Sequence, residues 1–584
     1  MKTRLLFFLL LLSSLAGIAQ EKRPNVLLII TDDQGYGDFG FTGNPHVQTP
    51  TIDQLAAESS WFTSYYVSPV CAPTRASLLT GRYSLRTGIR DTYNGGSIIA
   101  ADEFTLAEML KSASYKTGIF GKWHLGDNYP SRPMDQGFDE SLIHLAGGMG
   151  QVGDFTTYFQ GDSSYFDPIL WHNGKQQSYE GYCSDIFAEE AIRFMQVSHS
   201  SGSEPFFCYL SFNAPHTPLQ VPDEYYQKYK DIDPTLGFST EMDPSDLMSE
   251  QDKEDARKVY AMVDNIDYNM QRVLAALDEM EIAENTLIIF MTDNGPEQYR
   301  YLSGLRGRKS SVYQGGVKVP LLLKYPGKYP QPNEISTTAV HMDIFPTLAE
   351  LCQAELPKDR VIDGHSLVPL LEGKPVEWAD RSLFFYWTRK YPELYENMAL
   401  QRGNYRLVAS GNYDADWPDF DLYDIANDRG ESDNINSSNP RLAQSMKVSM
   451  DSLYQELIQS PNLQNQIPII VGSPNENPSF LSRNDANGQR GIWNQEEVFG
   501  KWRLMVLDGT YNLKFKFLKP VPEGGRMLVE LGPLVFQQQQ EEESDWIEMK
   551  GVKLNDMTAD LIPTYMGGGR NILPFWVEIE RVQP

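Results

Sequence analysis

Cys71 opens the run Cys71-Ala-Pro73-Thr-Arg75-Ala-Ser-Leu-Leu-Thr-Gly-Arg82. Proline is favoured in the first turn of a helix, so the thiol is predicted at a helix start. Unpaired backbone N–H groups and the positive end of the helix dipole make such a place receptive to an anion. With Arg75 in the same first turn, the cysteine reads as a low-pKa nucleophile. A buried, idle thiol is the commoner fate of a lone cysteine, so the case depends on partners elsewhere, and two kinds are present. Asp32, Asp33, Asp293 and Asn294 offer three carboxylates and an amide carbonyl, hard oxygen ligands that suit Ca²⁺ or Mg²⁺ better than zinc. Lys122, His124, His216 and Lys309 offer positive charge and acid–base chemistry. Taken singly, Asp-Asp after a strand is often a helix cap, Asp-Asn-Gly a turn, and a lone Lys or His a solvated or structural group. Together the four oxygen ligands converge without another counter-charge, which points to a bound divalent cation.

The elements around these residues place them on one edge. Asn25-Val-Leu-Leu-Ile-Ile-Thr31 is an apolar run of the kind found in buried parallel strands, and it ends in Asp32-Asp33. Thr51 with Gln54 predicts a capped helix to residue 58, and Thr105 with Glu108 another to residue 112. A strand over 117–120 runs into Gly-Lys122-Trp-His124. A helix over 185–197 leads to a strand over 205–212, which runs into Asn213-Ala-Pro-His216. A long helix over 254–280 leads to a strand over 286–292, which runs into Asp293-Asn294-Gly295. Such β–α alternation implies a mostly parallel central sheet with helices on both faces. In open α/β sheets the ligand site lies outside the carboxyl ends of the strands, so four distant segments converge.

From residue 381 short alternating runs over 383–387, 398–401, 405–408 and 421–423 predict a small antiparallel sheet, closed by a helix over 442–457. Residues 460–494, rich in Asn, Pro, Ser and Gly, read as a linker. Strands over 502–507, 511–517, 526–531 and 575–581 then form an appended β module, with 537–543 a polar, acidic loop. The expected division is a signal peptide over 1–19, a catalytic domain over 20–380, an α+β subdomain over 381–459, and linker plus accessory module over 460–584.

The leader is read from Lys2 and Arg4 ahead of the apolar run Leu5–Leu12, with Gly17-Ile18-Ala19 as a cleavage site. No cysteine follows that site and no later apolar run is long enough to span a membrane, so the expectation is an exported, unanchored protein, periplasmic or secreted. Four cysteines are too few for a disulfide framework. A net charge of −28 argues against nucleic acid or an anionic membrane as partner. It also requires any anion site to be a local basic pocket.

The segment from Cys71 to Arg82 resembles the signature Cys-x-Pro-Ser/Thr-Arg-x-x-x-Leu-Thr-Gly-Arg of type I sulfatases. Gly121-Lys-Trp-His-Leu-Gly126, Ala214-Pro-His-Thr-Pro218 and Leu305-Arg-Gly-Arg-Lys309, ahead of Tyr313-Gln-Gly-Gly-Val-Lys-Val-Pro320, resemble signatures of the same family. Arg308 departs from it, since a small residue is usual there, and adds a charge near the substrate. The resemblance implies an alkaline-phosphatase-like fold and sulfate-ester hydrolysis on a sulfated carbohydrate, with algal glycans such as ulvan among the candidates. It implies that Cys71 is oxidised to formylglycine by a formylglycine-generating or anaerobic sulfatase-maturating enzyme. It implies one cation, calcium by preference, on Asp32, Asp33, Asp293, Asn294 and residue 71. The roles it implies are attack by hydrated residue 71 with Asp33 taking its proton, and charge neutralisation by Lys122, Lys309 and the metal. His216 would protonate the departing alcohol, His124 would drive release of sulfate, and Arg75 would brace the nucleophile. The resemblance covers about residues 24–370 and the small sheet beyond, not the module after 460. Two other readings are a formylglycine-dependent phosphodiesterase or phosphonate monoester hydrolase, and a glycan-binding protein with a dead catalytic domain.

Overall fold

A computed structural model describes residues 22–202, 204–236, 248–378, 380–389, 391–409 and 411–583. The leader lies outside the described residues. Eleven strands form the main sheet: β1 Asn25–Thr31, β2 Ser60–Tyr66, β3 Lys116–Lys122, β4 Glu140–His144, β5 Ile169–His172, β6 Lys175–Ser178, β7 Phe206–Ser211, β8 Thr286–Thr292, β9 Lys318–Lys324, β10 Asn333–Ile335 and β11 Ala339–Val340. Their order is β10-β2-β9-β8-β1-β7-β3-β4-β5-β6, with β11 beside β2. The central run β8-β1-β7-β3-β4 is parallel, and β9, β5 and β6 turn antiparallel at its flanks.

Alternation along β1 divides the core. Val26, Leu28 and Ile30 face a layer holding Ala72, Ala76 and Leu79 of the helix Cys71–Thr80 and Leu106 of the helix Leu106–Ser112. Leu27 and Ile29 face the helices Pro50–Ala57, Cys183–Ser200 and Glu250–Glu279. A strand buried on both faces needs such an unbroken apolar run. The capping box at Thr105 and Glu108 is present. The helix expected from a Thr51 cap starts two residues earlier, because Pro50 takes N1 and Thr49 becomes the cap residue.

Beyond the sheet, β12 Ser382–Tyr386, β13 Met398–Arg402, β14 Tyr405–Val408 and β15 Asp421–Asp424 form an antiparallel sheet in that order, covered by the helix Pro440–Ile458. The rest is a two-sheet β sandwich. One sheet runs β16-β19-β24-β21-β22, with β18 beside β19 and β25 beside β24, and the other β17-β26-β20-β23. The ranges are β16 Ile469–Val471, β17 Ser479–Ser482, β18 Asn487–Gly488, β19 Gly500–Val506, β20 Gly509–Val521, β21 Arg526–Leu531, β22 Leu534–Gln539, β23 Ser544–Leu554, β24 Met557–Gly567, β25 Arg570–Ile572 and β26 Trp576–Gln583.

Two expectations are corrected here. The polar run 537–543 belongs in part to β22, an edge strand whose alternate exposure tolerates glutamines. The stretch 460–494 is no linker: it carries β16, β17 and β18 and is bolted to the catalytic body. Its Arg483, Asn484 and Asp485 are buried. Asn484 donates to Ser97 Oγ at 2.9 Å, Ser482 Oγ to Asp127 Oδ2 at 2.8 Å, and the Asp127 N–H to Asp485 Oδ2 at 3.0 Å. Phe575 packs with Leu145, Val152 and Phe155 in a shared apolar cluster. Composition misled because its Asn, Ser and Asp side chains are spent on hydrogen bonds across a seam rather than on solvent.

Candidate active site

The four clusters sit at the carboxyl ends of four neighbouring parallel strands. Asp293 follows β8, Asp32 and Asp33 follow β1, His216 lies five residues beyond β7, and Lys122 ends β3. The ladder register continues into the site, for the Asp293 N–H bonds to Thr31 O at 3.1 Å and the Asp32 N–H to Ala214 O at 3.2 Å. The Cys71–Thr80 helix brings Cys71 against this edge, with every residue of the helix buried. Cys71, Asp32 and Asp293 approach closely enough to share one ion, as do Asp32, Asp33 and His216.

Each carboxylate has a cation. Lys122 Nζ donates to Asp32 Oδ2 at 2.5 Å, and Lys309 Nζ to Asp33 Oδ2 at 2.8 Å. Arg75 donates to Asp293 Oδ2 through Nε at 3.1 Å and Nη2 at 2.8 Å. The expected lack of counter-charge is therefore wrong: three carboxylates meet three cations drawn from distant segments. What the floor does lack is hydrogen bonds. Asp32 Oδ1 and Asn294 Oδ1 are buried and unpartnered among the described residues, a costly state for a polar oxygen. Asn294 Nδ2 donates to Asp33 Oδ1 at 2.8 Å and to Gly295 O, which fixes its oxygen as the free atom.

Arg75 is spent on the Asp293 carboxylate rather than on a bound anion. Its guanidinium also reaches Ser211 Oγ and Lys122 O, so it clamps Asp293 to β7 and β3. The low-pKa reading of Cys71 is likewise overturned. Burial pushes the thiol above its ordinary value, by more than Lys122 and Lys309 pull it down. Against the cost of burial, Lys309, His216 and Lys122 hold the Asp33 carboxyl well below the usual range, and Asp33 in turn keeps Lys309 protonated.

The two histidines are held as opposite tautomers. His124 Nε2 meets the carbonyl of Thr92 at 2.7 Å, so it carries the proton and leaves Nδ1, buried and without a partner among the described residues, as a lone pair. Burial and Lys122 press its pKa well below the ordinary value. His216 Nδ1 meets Thr217 O at 2.6 Å, which leaves Nε2 facing Asp33 Oδ2 at 3.7 Å. Burial, with Lys309 beside it, lowers this ring to about 4. Gly147 and Gly148 make room for both. A Cβ on Gly147 would lie 2.9 Å from His124 Cε1, and one on Gly148 3.0 Å from His216 Cε1.

Cys71, His124, His216 and Lys309 open into a cavity of about 670 Å³. Arg308 lines it too, with its guanidinium 3.6 Å over the Tyr299 ring and donating to Glu297 O. Sequence reasoning missed Asp38 and Arg300, a fully buried pair at 2.8 Å whose arginine also donates to Asp33 O at 2.6 Å. It missed Thr92, which seats His124, and Arg389, Arg490 and Trp493 on the cavity wall. Asp38 and Arg300 could have been sought in the loops directly after β1 and β8; nothing in the sequence marks the other four. Lys122, by contrast, is fully buried beneath the cavity on Asp32.

The family model for sulfatases matches residues 24–354, and one for the C-terminal region of N-sulphoglucosamine sulphohydrolase matches 308–459. The chain is 31% identical over 415 residues to N-acetylgalactosamine-6-sulfatase of Canis lupus familiaris, covering 65% of this chain and 72% of that protein. Arylsulfatase A of Homo sapiens is 30% identical over 493 residues, covering 75% and 89%. Among solved structures, Ps i-CgsB in complex with k-i-k-neocarrahexaose aligns with TM-score 0.64 and 28% identity over 75% of this chain and 94% of that one. Phosphonate monoester hydrolase of Agrobacterium radiobacter shares the fold, with TM-score 0.56 at 20% identity. With residues 24–354 matched by the sulfatase family model and arylsulfatase A 30% identical over 75% of the chain, the chain belongs to the sulfatase family and is a sulfuric ester hydrolase.

Proposed function

We propose that the chain is an exported glycan sulfatase that works with formylglycine at position 71 and one Ca²⁺ ion held by Asp32, Asp33, Asp293 and Asn294. The observation that carries this reading is the pair of orphaned buried oxygens, Asp32 Oδ1 and Asn294 Oδ1, beside Cys71. Hard oxygen donors left without hydrogen bonds fit a calcium or magnesium ion. Bound there, the ion would polarise a sulfate oxygen. The raised thiol pKa supports the modified residue, whose hydrated aldehyde supplies a nucleophilic oxygen that a protonated, buried thiol does not.

The chain's own groups do the rest. Lys309 places positive charge in the cavity where the equatorial sulfate oxygens gather negative charge, and Lys122 adds its charge from beneath, on Asp32. Asp33, held ionised, is the proton acceptor at the nucleophile. His216 donates to the departing alcohol from Nε2, a step that requires the doubly protonated ring because Nδ1–H is already committed to Thr217 O. His124 accepts at Nδ1, the only nitrogen left open by Thr92. Arg75 acts by holding Asp293. The leader-like start supports export, and the names of the relatives support a sulfated saccharide as substrate, with marine or algal polysaccharides, ulvan included, within that class. Parallel turnover of 4-nitrophenyl sulfate, 4-nitrophenyl phosphate and sulfated saccharides tests the reading. Sulfate esters should be cleaved far faster than the phosphate; preference for the phosphate would overturn it.

A further inference from the structure

The cavity wall carries more positive charge than one sulfate ester needs. Among the described residues, Lys309, Arg308, Arg389 and Arg490 line it against a single carboxylate, Glu297, in a chain whose net charge is −28. Lys309 is engaged with Asp33, and Arg308 is laid on Tyr299. Arg389 and Arg490 remain. Arg389 is 55% exposed, donates to Thr92 Oγ1 at 3.2 Å and lies 5.0 Å from the Tyr93 ring centre. Asp91 lies 3.8 Å from it and accepts from the Thr92 N–H and Trp387 Nε1. Arg490 is exposed and has no ion pair among the described residues. The two come from opposite sides of the seam, as do Tyr93 and Trp493, whose rings meet at 5.3 Å. The cleft also continues along that seam, since Asn494 and Gln495 line a second hollow with exposed Phe159 and Lys519.

Resting on the sulfatase reading above, we propose that Arg389 and Arg490, with the Tyr93–Trp493 wall, form a second anion subsite for a sulfate or carboxylate on the sugar next to the one being desulfated. The substrate is then a polyanionic oligosaccharide, and the module outside the sulfatase family match contributes half of the subsite. Planar guanidinium groups suit either anion, and flat aromatic faces suit the apolar face of a sugar ring.

The test is inhibition of 4-nitrophenyl sulfate turnover by cellotetraose, its sulfated form and tetragalacturonate, each scaled to inhibition by inorganic sulfate. Both anionic oligosaccharides should inhibit well and neutral cellotetraose poorly. Arg490→Gln should raise the scaled inhibition constants of the anionic pair by about tenfold, the weight of one charge-assisted contact, and Arg490→Lys should restore most of it. The preferred anion identifies whether sulfate or uronate is taken. Equal inhibition by neutral and anionic oligosaccharides, or unchanged scaled constants in Arg490→Gln, would overturn the subsite. Loss of all 4-nitrophenyl sulfate turnover by the unaltered protein would instead overturn the sulfatase reading itself.

Discussion

Lys309 Nζ lies 2.8 Å from Asp33 Oδ2 while the same lysine lines the substrate cavity. One cation is thus shared between the acidic floor and the space above it, and its partner is an expected metal ligand. A divalent ion on the floor would draw on Asp33 and release Lys309 toward a sulfate oxygen.

Removing the ion should therefore cost both activity and stability. Chelated, desalted protein is expected to lose turnover and to melt at lower temperature, with Ca²⁺ restoring both. A ligand at 100 times its dissociation constant adds about 2.7 kcal/mol of stability. Asn294→Ala should lower the bound calcium measured by atomic emission. Metal-free protein with full activity and an unchanged melt would contradict this.

His216 and His124 should separate by leaving group. A sugar alkoxide needs a proton in the transition state, and general acid catalysis supplies about 10²–10⁴-fold; a nitrophenolate needs little help. His216→Ala is expected to damage kcat/KM on a sulfated sugar far more than on nitrophenyl sulfate. His124→Ala should slow both alike, through release of sulfate. Equal losses on the two substrates for His216→Ala would show that another group is the acid.

The C-terminal module should be needed for a stable fold. Phe575 is fully buried between module and catalytic body, so Phe575→Ala should cost about 3–5 kcal/mol, read as a lower denaturant midpoint. Truncation at residue 460 exposes the same cluster and should yield poorly soluble protein. A truncated protein that melts as the full chain does would contradict the account.

The seam should also respond to pH. Asp127, Asp154 and Asp485 are buried together; burial pushes Asp154 up to about 7 and, with mutual repulsion, Asp127 well above the carboxylate range. A raised carboxyl pKa gives stability that is complete below the unfolded value near 4 and lost as pH rises through the folded value. Asp127→Asn keeps an acceptor for Ala146 N–H and does not titrate. Its unfolding free energy relative to wild type, read from denaturant melts, should climb between pH 5 and pH 8 by as much as ~1.4 kcal/mol per pH unit. A difference independent of pH would count against the seam acids.

Much of this architecture is legible in the sequence. The run Asn25–Thr31 marked a strand buried on both faces because every residue in it is apolar or capable of lying in a ladder, and the same holds for Thr286–Thr292. The acidic and basic clusters were legible because each directly follows such a strand. What could not be read was pairing over long separations. Nothing local reveals that Arg75 meets Asp293, that Thr92 seats His124, or that Arg490 faces the same cavity as Cys71. Polar composition in 460–494 gave the wrong answer for the same reason, since its hydrogen-bond partners lie more than three hundred residues away.

The most direct measurement is the mass of the peptide carrying residue 71 from fully active protein, paired with turnover of Cys71→Ala. The account predicts the mass of formylglycine in place of cysteine, and a folded Cys71→Ala protein that keeps its calcium-dependent melt in part but has no turnover. An unmodified thiol throughout fully active protein would contradict it.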